Sequence, residues 1–220
     1  MYDMKTDDYF AHCRMDMLQA IPPGGKNRIL EIGAGTGETL LQAKALGLAE
    51  EVVGVELVAI EKSNQTHPDM DRFMIGDVEK MALPFDDNYF DVILCGDVLE
   101  HLVDPWNMVR RLSAWLKPGG LFIASLPNVR EIKTLSKIIL KGNFKYDEAG
   151  ILDRTHLRFF CKRDMLDLFA QSDLEVLSTT SNLELLGTGK RLLLNKLTLG
   201  AFSEFLEGEY LIVARKDTKQ

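Results

Sequence analysis

The chain has 220 residues, 46% of them hydrophobic and 27% charged, which is enough for one globular domain with a sizeable core. Its formal net charge of −7 argues against a nucleic-acid partner held by phosphate neutralisation. Cys13, Cys95 and Cys161 are too scattered for a zinc site or a disulfide framework, and as reduced thiols they suit a cytoplasmic protein. The stretch Met1–Phe10 is acidic and lacks the apolar run of a signal peptide, and no run in the chain is long enough to span a bilayer.

In chain order, residues 1–25 read as an N-terminal helix (about Asp7 to Ile21) closed by Pro22-Pro23-Gly24-Gly25. Arg14 on this helix is either a solvated arginine or a cation placed to meet a ligand carboxylate. Next, Arg28-Ile29-Leu30-Glu31-Ile32 reads as a short apolar strand, Gly33-Ala34-Gly35-Thr36-Gly37 as a glycine-dense turn, and Glu38–Leu48 as a helix. Bare backbone in such a turn can approach a ligand closely and present N–H groups to it. A dinucleotide fingerprint has the spacing G-x-G-x-x-G and an uncharged turn to receive a pyrophosphate. Here the spacing is G-x-G-x-G, and the Glu31 carboxylate would repel a diphosphate. It suits a ligand bearing an ammonium group and a sulfonium.

The string E-x-G-x-G-x-G at Glu31, Gly33, Gly35 and Gly37 resembles motif I of the class I, Rossmann-like S-adenosylmethionine (SAM) methyltransferases. Later segments keep to that frame. Val52–Leu57 reads as a second buried strand, with Glu56 at its end placed to accept hydrogen bonds from two ribose hydroxyls. Ala59–Thr66 reads as a helix. Arg72–Ile75 is a third strand followed by Gly76-Asp77. The pattern G-D-x-x-x-x-P-F from Gly76 to Phe85 resembles the family segment whose acid accepts from the adenine amino group, the alternative being that Asp77 only caps a turn. Tyr89–Gly96 is a fourth, continuously apolar strand, as expected of a central parallel strand covered on both faces. Asp97-Val98-Leu99-Glu100-His101 after it resembles the segment beneath the methionine part of SAM. Glu100 and His101 are adjacent and would diverge on a helix, so no metal site is expected, and His101 reads as a helix-terminus or packing histidine. Pro105–Leu116 is a helix, and Lys117-Pro118-Gly119-Gly120 is a turn into strand five, Leu121–Leu126.

Beyond strand five, Ile132–Leu140 and Lys162–Ala170 read as helices, and Leu174–Thr179 and Glu209–Arg215 as strands six and seven, paired antiparallel. Between them lies Asp153-Arg154-Thr155-His156-Leu157-Arg158-Phe159-Phe160, dense in polar groups of catalytic type. It resembles the D-x-T-H-x-R-F-F segment of bacterial SAM methyltransferases found beside surface-glycan functions. His156 is the candidate general base, with Asp153 orienting it or holding a substrate hydroxyl, and a structural histidine in a turn is the other reading. Arg158 reads as a brace for this loop.

The resemblance implies an α/β fold: a seven-stranded, mostly parallel sheet with helices on both faces and the last strand antiparallel. It implies a single domain over residues 1–220, with segments 127–160 and 181–207 as lids on the substrate side. Cofactor contacts fall to Arg14, Glu31, Gly33, Gly35, Gly37, Glu56, Leu57, Asp77, Val78, Gly96 and Asp97, with SAM as donor and S-adenosylhomocysteine as product. The implied reaction is O-methylation of a sugar, glycan intermediate or other small molecule. N- or carboxyl-methylation and a non-catalytic SAM-binding partner subunit remain as alternatives. The apolar stretch Leu192–Phe202 is read as a pocket cover or a homodimer contact.

Overall fold

Seven strands form one sheet in the order β3-β2-β1-β4-β5-β7-β6. The architecture is that of a computed structural model, which describes residues 13–181, 193, 195 and 197–218. The strands are β1 (Asn27–Ile32), β2 (Ala49–Glu56), β3 (Arg72–Ile75), β4 (Phe90–Gly96), β5 (Leu116–Pro127), β6 (Leu174–Ser181) and β7 (Glu209–Lys216). Pairings β3·β2, β2·β1, β1·β4 and β4·β5 are parallel, and β7 runs antiparallel to both β5 and β6. The helices are α1 (Met15–Gln19), α2 (Glu38–Ala45), α3 (Pro105–Trp115), α4 (Ile132–Lys141), α5 (Lys162–Ala170) and α6 (Ser203–Leu206). The expected fold class stands.

Two hydrophobic clusters cover the two faces of the sheet. One joins Leu30, Ile93 and Phe122 to Val109 and Leu112 of α3 and to Phe169 of α5. The other joins Ile29, Val52 and Leu94 to Met17 and Leu18 of α1 and Leu40 of α2. This is why β1 and β4 read as unbroken apolar runs: successive side chains point to opposite faces, and both faces are covered. After β3 the chain crosses to the far side of β1 to make β4. The carboxyl ends of β1 and β4 therefore diverge at a topological switch point, where open α/β sheets leave a crevice.

Local chemistry explains the element boundaries. Asp104 caps α3 by accepting from the Asn107 N–H (3.0 Å), and Pro105 occupies the first turn, where an N–H would have no partner. At the other end of α3, the buried Lys216 ammonium donates to the Ser113 and Leu116 carbonyls, both at 2.8 Å. A cation there supplies partners to carbonyls that the helix itself cannot satisfy.

Three boundaries differ from expectation. Ala59–Thr66 forms only a 3₁₀ turn at Asn64–Thr66. The Gln65 amide donates to the Gly35 carbonyl (2.8 Å), the Ser63 hydroxyl to the Ile60 carbonyl (2.7 Å), and the Asn64 N–H to the Thr36 carbonyl (2.9 Å). Side-chain-to-backbone bonds of this kind compete with helix formation, and here they bind the segment to the glycine turn. Lys117–Gly120 is a bulge inside β5 rather than a turn before it. Phe90 pairs with Leu116 but Val92 with Leu121, and a Cβ on Gly120 would stand 2.9 Å from the Asp91 and Lys117 carbonyl oxygens. In the N-terminal helix, the described part is helical only over Met15–Gln19, and residues 7–12 of the expectation lie outside the described residues. The same holds for Leu192, Leu194 and Lys196 of the Leu192–Phe202 stretch and for residues 182–192 of the expected second lid.

Candidate active site

A cleft of about 820 Å³ opens over the carboxyl ends of β1, β2 and β4 and the loop after β3. Of the expected cofactor residues it is lined by all but Gly37, which N-caps α2 instead. The glycine turn makes room for it. Gly33 has φ of +71°, and a Cβ there would stand 2.3 Å from Val98 Cγ2, so any other residue would be strained and would displace the Val98 side chain.

Three acids stand at consecutive strand ends, each in a different state. Glu31 is buried, and its Oε2 has no hydrogen-bond partner among the described residues. Burial pushes its carboxyl up to about 8, against a stabilising bond with Thr39. Glu56 is held flat at the end of β2. Its Oε2 accepts from the Gly35 N–H (2.9 Å) and its Oε1 from the Leu57 N–H (2.7 Å), while burial still raises its pKa. Asp77 accepts from Lys80 Nζ (2.6 Å) and the Glu79 N–H (3.0 Å), and the Lys80 bond holds its pKa down.

Arg14 is the cation of the opposite wall. Its Nη1 donates to Asp97 Oδ2 at 2.7 Å, and its Nη2 to Asp16 Oδ2 at 2.9 Å and Glu209 Oε1 at 3.2 Å. Burial works against its charge, but the Asp16 bond and the three acids outweigh that and raise its pKa. Burial and the Asp97 charge push Glu209 up to about 7, with Arg14 opposing. Asp97 itself has φ of +52°, a conformation that costs a non-glycine residue about 1–2 kcal/mol. Its main-chain N–H and one carboxylate oxygen both bond the Ser125 hydroxyl at 3.0 Å, which holds the residue in that conformation. Strain of this kind concentrates at ligand sites.

The far end of the cleft is built by the D-x-T-H segment. The Leu157 and Arg158 N–H groups donate to the Glu100 carbonyl at 2.8 and 2.9 Å, clamping the segment to the turn after β4. The Arg158 guanidinium donates to the Val103 carbonyl and lies 5.7 Å over the Trp106 ring, so it braces the loop. Phe160 is core, and Phe159 packs edge-on to Phe144 and near His156.

Asp153 and His156 share one turn but do not line the cleft. Asp153 Oδ1 accepts from the Thr155 N–H (2.9 Å) and hydroxyl (2.7 Å), which shapes that turn. His156 is buried, with Nδ1 3.0 Å from the Ile151 carbonyl oxygen. The imidazole on the cleft wall is His101, stacked edge-on to His156 with ring centroids 4.6 Å apart. Burial and the neighbouring His156 push His101 down to about 4, so it is neutral at pH 7.

The expected divergence of Glu100 and His101 is not what forms. They lie on a 3₁₀ turn, Leu99–His101, rather than an α-helix. One ligand-type atom each of Glu100, His101 and His156 falls within 4.8 Å of the others. The signal for His101 was its place just past the end of β4, where such sheets bind ligands. Leu157, which also lines the cleft, carried no signal of its own.

Residues 6–179 match the family described as a methyltransferase domain. The chain is 30% identical over 121 residues to the demethylmenaquinone methyltransferase of Staphylococcus saprophyticus, covering 52% of each. It is 30% identical over 104 residues to the 27-O-demethylrifamycin SV methyltransferase of Amycolatopsis mediterranei, covering 46% of this chain and 38% of that one. The chain thus spans about half or less of these two curated relatives. A crystal structure of an S-adenosylmethionine-dependent methyltransferase from Mesorhizobium loti superposes with a TM-score of 0.63 at 20% identity, covering 96% of this chain and all of that one (100%). With most of its length inside the matched family and a sheet of the same order of build, the chain belongs to the methyltransferase-domain family and has the fold of the SAM-dependent methyltransferases.

Proposed function

We propose that the protein is a SAM-dependent methyltransferase acting on a hydroxyl of a small molecule or glycan intermediate. The observation that carries this reading is the convergence of Glu31, Glu56 and Asp77 on one cleft beside the glycine turn. The residues present fit the cofactor. A buried carboxylate oxygen on Glu31 lacks a partner, and Gly33 leaves open the space that a Cβ would fill.

Bound SAM supplies a methyl group already activated on a sulfonium. The chain's part is to hold, orient and exclude water. Glu56, fixed by two backbone N–H groups, accepts from the ribose hydroxyls. Asp77 and Val78 serve the adenine end, and Leu57 flanks it. Glu31, Gly96 and Asp97 serve the methionine end, with Arg14 as the cation for its carboxylate. Alignment and desolvation in a closed cleft supply roughly 7–11 kcal/mol in well-oriented reactions.

The acceptor enters at the His101–Leu157 end. His156, on the turn shaped by Asp153, backs His101, and the neutral His101 imidazole on the cleft wall is the group we assign to managing the acceptor's proton. Segments 127–160 and 181–207 serve as lids. Support comes from α4, whose Ile139 and Leu140 side chains are 73% and 80% exposed, as apolar groups awaiting a substrate would be. The D-x-T-H-x-R-F-F string supports membership of the subgroup it resembles, and the similarity to a 27-O-demethylrifamycin SV methyltransferase supports an oxygen acceptor.

Purified protein incubated with labelled SAM and a panel of phenols, sugars and nucleotide-sugars tests the reading. Label transferred to an O-linked methyl, together with stabilisation by S-adenosylhomocysteine and not by NAD, is the expected result. Stabilisation by NAD alone would overturn it.

A further inference from the structure

We propose that Glu100, His101 and His156 form a binding site for a borderline divalent transition-metal ion of the zinc or cobalt class, set in the wall at the acceptor end of the cleft.

Geometry supplies the first part. One ligand atom from each residue lies within 4.8 Å of the other two, and His156 Nε2 stands 3.8 Å from Glu100 Oε1. Modest side-chain closure brings such atoms to an ion, given metal–nitrogen distances of about 2.0–2.1 Å.

Tautomer chemistry supplies the second. His101 Nδ1 lies 3.0 Å from the Thr155 carbonyl oxygen and His156 Nδ1 3.0 Å from the Ile151 carbonyl oxygen. A carbonyl oxygen only accepts, so both Nδ1 atoms carry the proton, and Nε2 is the unprotonated nitrogen in each neutral ring. Metal-binding histidines are fixed in this way, with the outer N–H on a backbone carbonyl and the inner nitrogen presented to the ion.

The third part is independent of the first two. Glu100 is 1% exposed, and its Oε2 has no hydrogen-bond partner among the described residues. A buried acceptor in that state is destabilising, the more so when charged, and a cation removes the cost.

Two imidazoles with one carboxylate select a borderline ion over magnesium or calcium, which prefer all-oxygen sites. Three protein ligands leave at least one coordination position open, as in catalytic zinc sites. His101 belongs to both the cluster and the cleft wall, so that position serves an acceptor oxygen. Binding to the ion would lower the pKa of that hydroxyl, as zinc lowers that of its bound water to about 7. With the ion in place, the imidazoles would hold metal, and the proton of the acceptor hydroxyl, acidified by the ion, would leave to solvent water. That chemical role rests on the methyltransferase reading; the binding site does not.

The test titrates metal-stripped full-length protein with Zn²⁺ by calorimetry and with Co²⁺ by visible absorption. We expect one equivalent per chain, d–d bands of a four- or five-coordinate cobalt, and a rise in melting temperature. Glu100→Gln and His156→Asn should each weaken Co²⁺ binding at least tenfold while S-adenosylhomocysteine affinity stays within twofold. His67→Ala should leave metal binding unchanged. The absence of a stoichiometric cobalt spectrum in the wild-type protein overturns the proposal, and this readout stands even if a ligand variant fails to fold. Binding that survives Glu100→Gln, or that is lost with His67→Ala, overturns it too. Cofactor binding without metal uptake removes the ion and leaves the methyltransferase reading intact; metal uptake without cofactor binding does the reverse.

Discussion

At the cofactor end of the cleft, each acid is delivered by the strand it follows, and its partners are close in sequence or on the neighbouring strand: Glu56 with Gly35 and Leu57, Asp77 with Glu79 and Lys80. At the acceptor end, the Glu100–His101 turn is joined to a segment more than fifty residues further along the chain, Glu100 through Leu157 and Arg158 and His101 through Thr155. The first end is rigid backbone at sheet termini with a few polar atoms set on it. The second is an assembly of loops whose geometry exists only once the sheet has formed. Binding of the donor and choice of the acceptor can therefore be disturbed separately, and the following measurements test that separation.

The largest effect is expected from Gly33→Val. A left-handed φ costs a branched residue about 1–2 kcal/mol, and overpacking against Val98 adds about 1–3 kcal/mol. S-adenosylhomocysteine binding should be abolished in calorimetry and the urea midpoint lowered. Because Val98 belongs to the loop carrying His101, this variant damages both ends; retained cofactor binding would show that the turn is not the cofactor's seat.

Glu56→Ala should damage the first end alone. It leaves the Gly35 and Leu57 N–H groups without their acceptor, at a cost of about 1–3 kcal/mol, and cofactor affinity should fall at least tenfold. If acceptor KM rises as steeply as cofactor affinity falls, the two ends are not separable. Arg158→Ala is the mirror experiment. Loss of its bonds to Val103 should raise acceptor KM roughly tenfold, about 1.4 kcal/mol, while cofactor affinity stays within twofold.

A pH series sharpens the comparison further. In the folded, empty protein Glu31 sits at about 8, above its ordinary 4.5. A raised carboxyl favours the folded state at low pH, and that contribution is lost as pH rises through 8. Denaturation of the cofactor-free protein should therefore show lower stability at pH 8.5 than at pH 6. An ammonium-bearing ligand prefers the ionised acid, so its affinity should rise over the same window, by at most about tenfold per unit. Glu31→Gln should flatten both curves. The smallest effect belongs to Lys80→Ala. Its ammonium is exposed, and the pair it makes with Asp77 is of the surface kind, so cofactor affinity should change less than about threefold.

What the sequence disclosed follows the same division. The G-x-G-x-G turn and the acids after β1 and β2 were legible because their roles depend on spacing along single strands. The strands were legible as apolar runs, whereas the build of the sheet was implied by the family resemblance and not by any one run. His101 was read as a helix-terminus or packing histidine, and it does end a 3₁₀ turn and pack on His156; its place on the cleft wall depends on a partner turn that no local pattern reveals. The helix expected at Ala59–Thr66 failed for a similar reason: Gln65 and Asn64 bond to the glycine turn rather than along their own segment. Likewise, Lys216 gave no sign that it would be buried beneath the end of α3.

The join between Glu100 and the Leu157–Arg158 pair is made of main-chain atoms on both sides. Since no side chain takes part, almost any residues can occupy those positions and the splice still closes. A lineage could exchange the whole acceptor-facing stretch, one substitution after another, without loosening its mooring to the sheet. New substrates would then be reached by drift in a replaceable part, while the methyl donor's berth stays as it was.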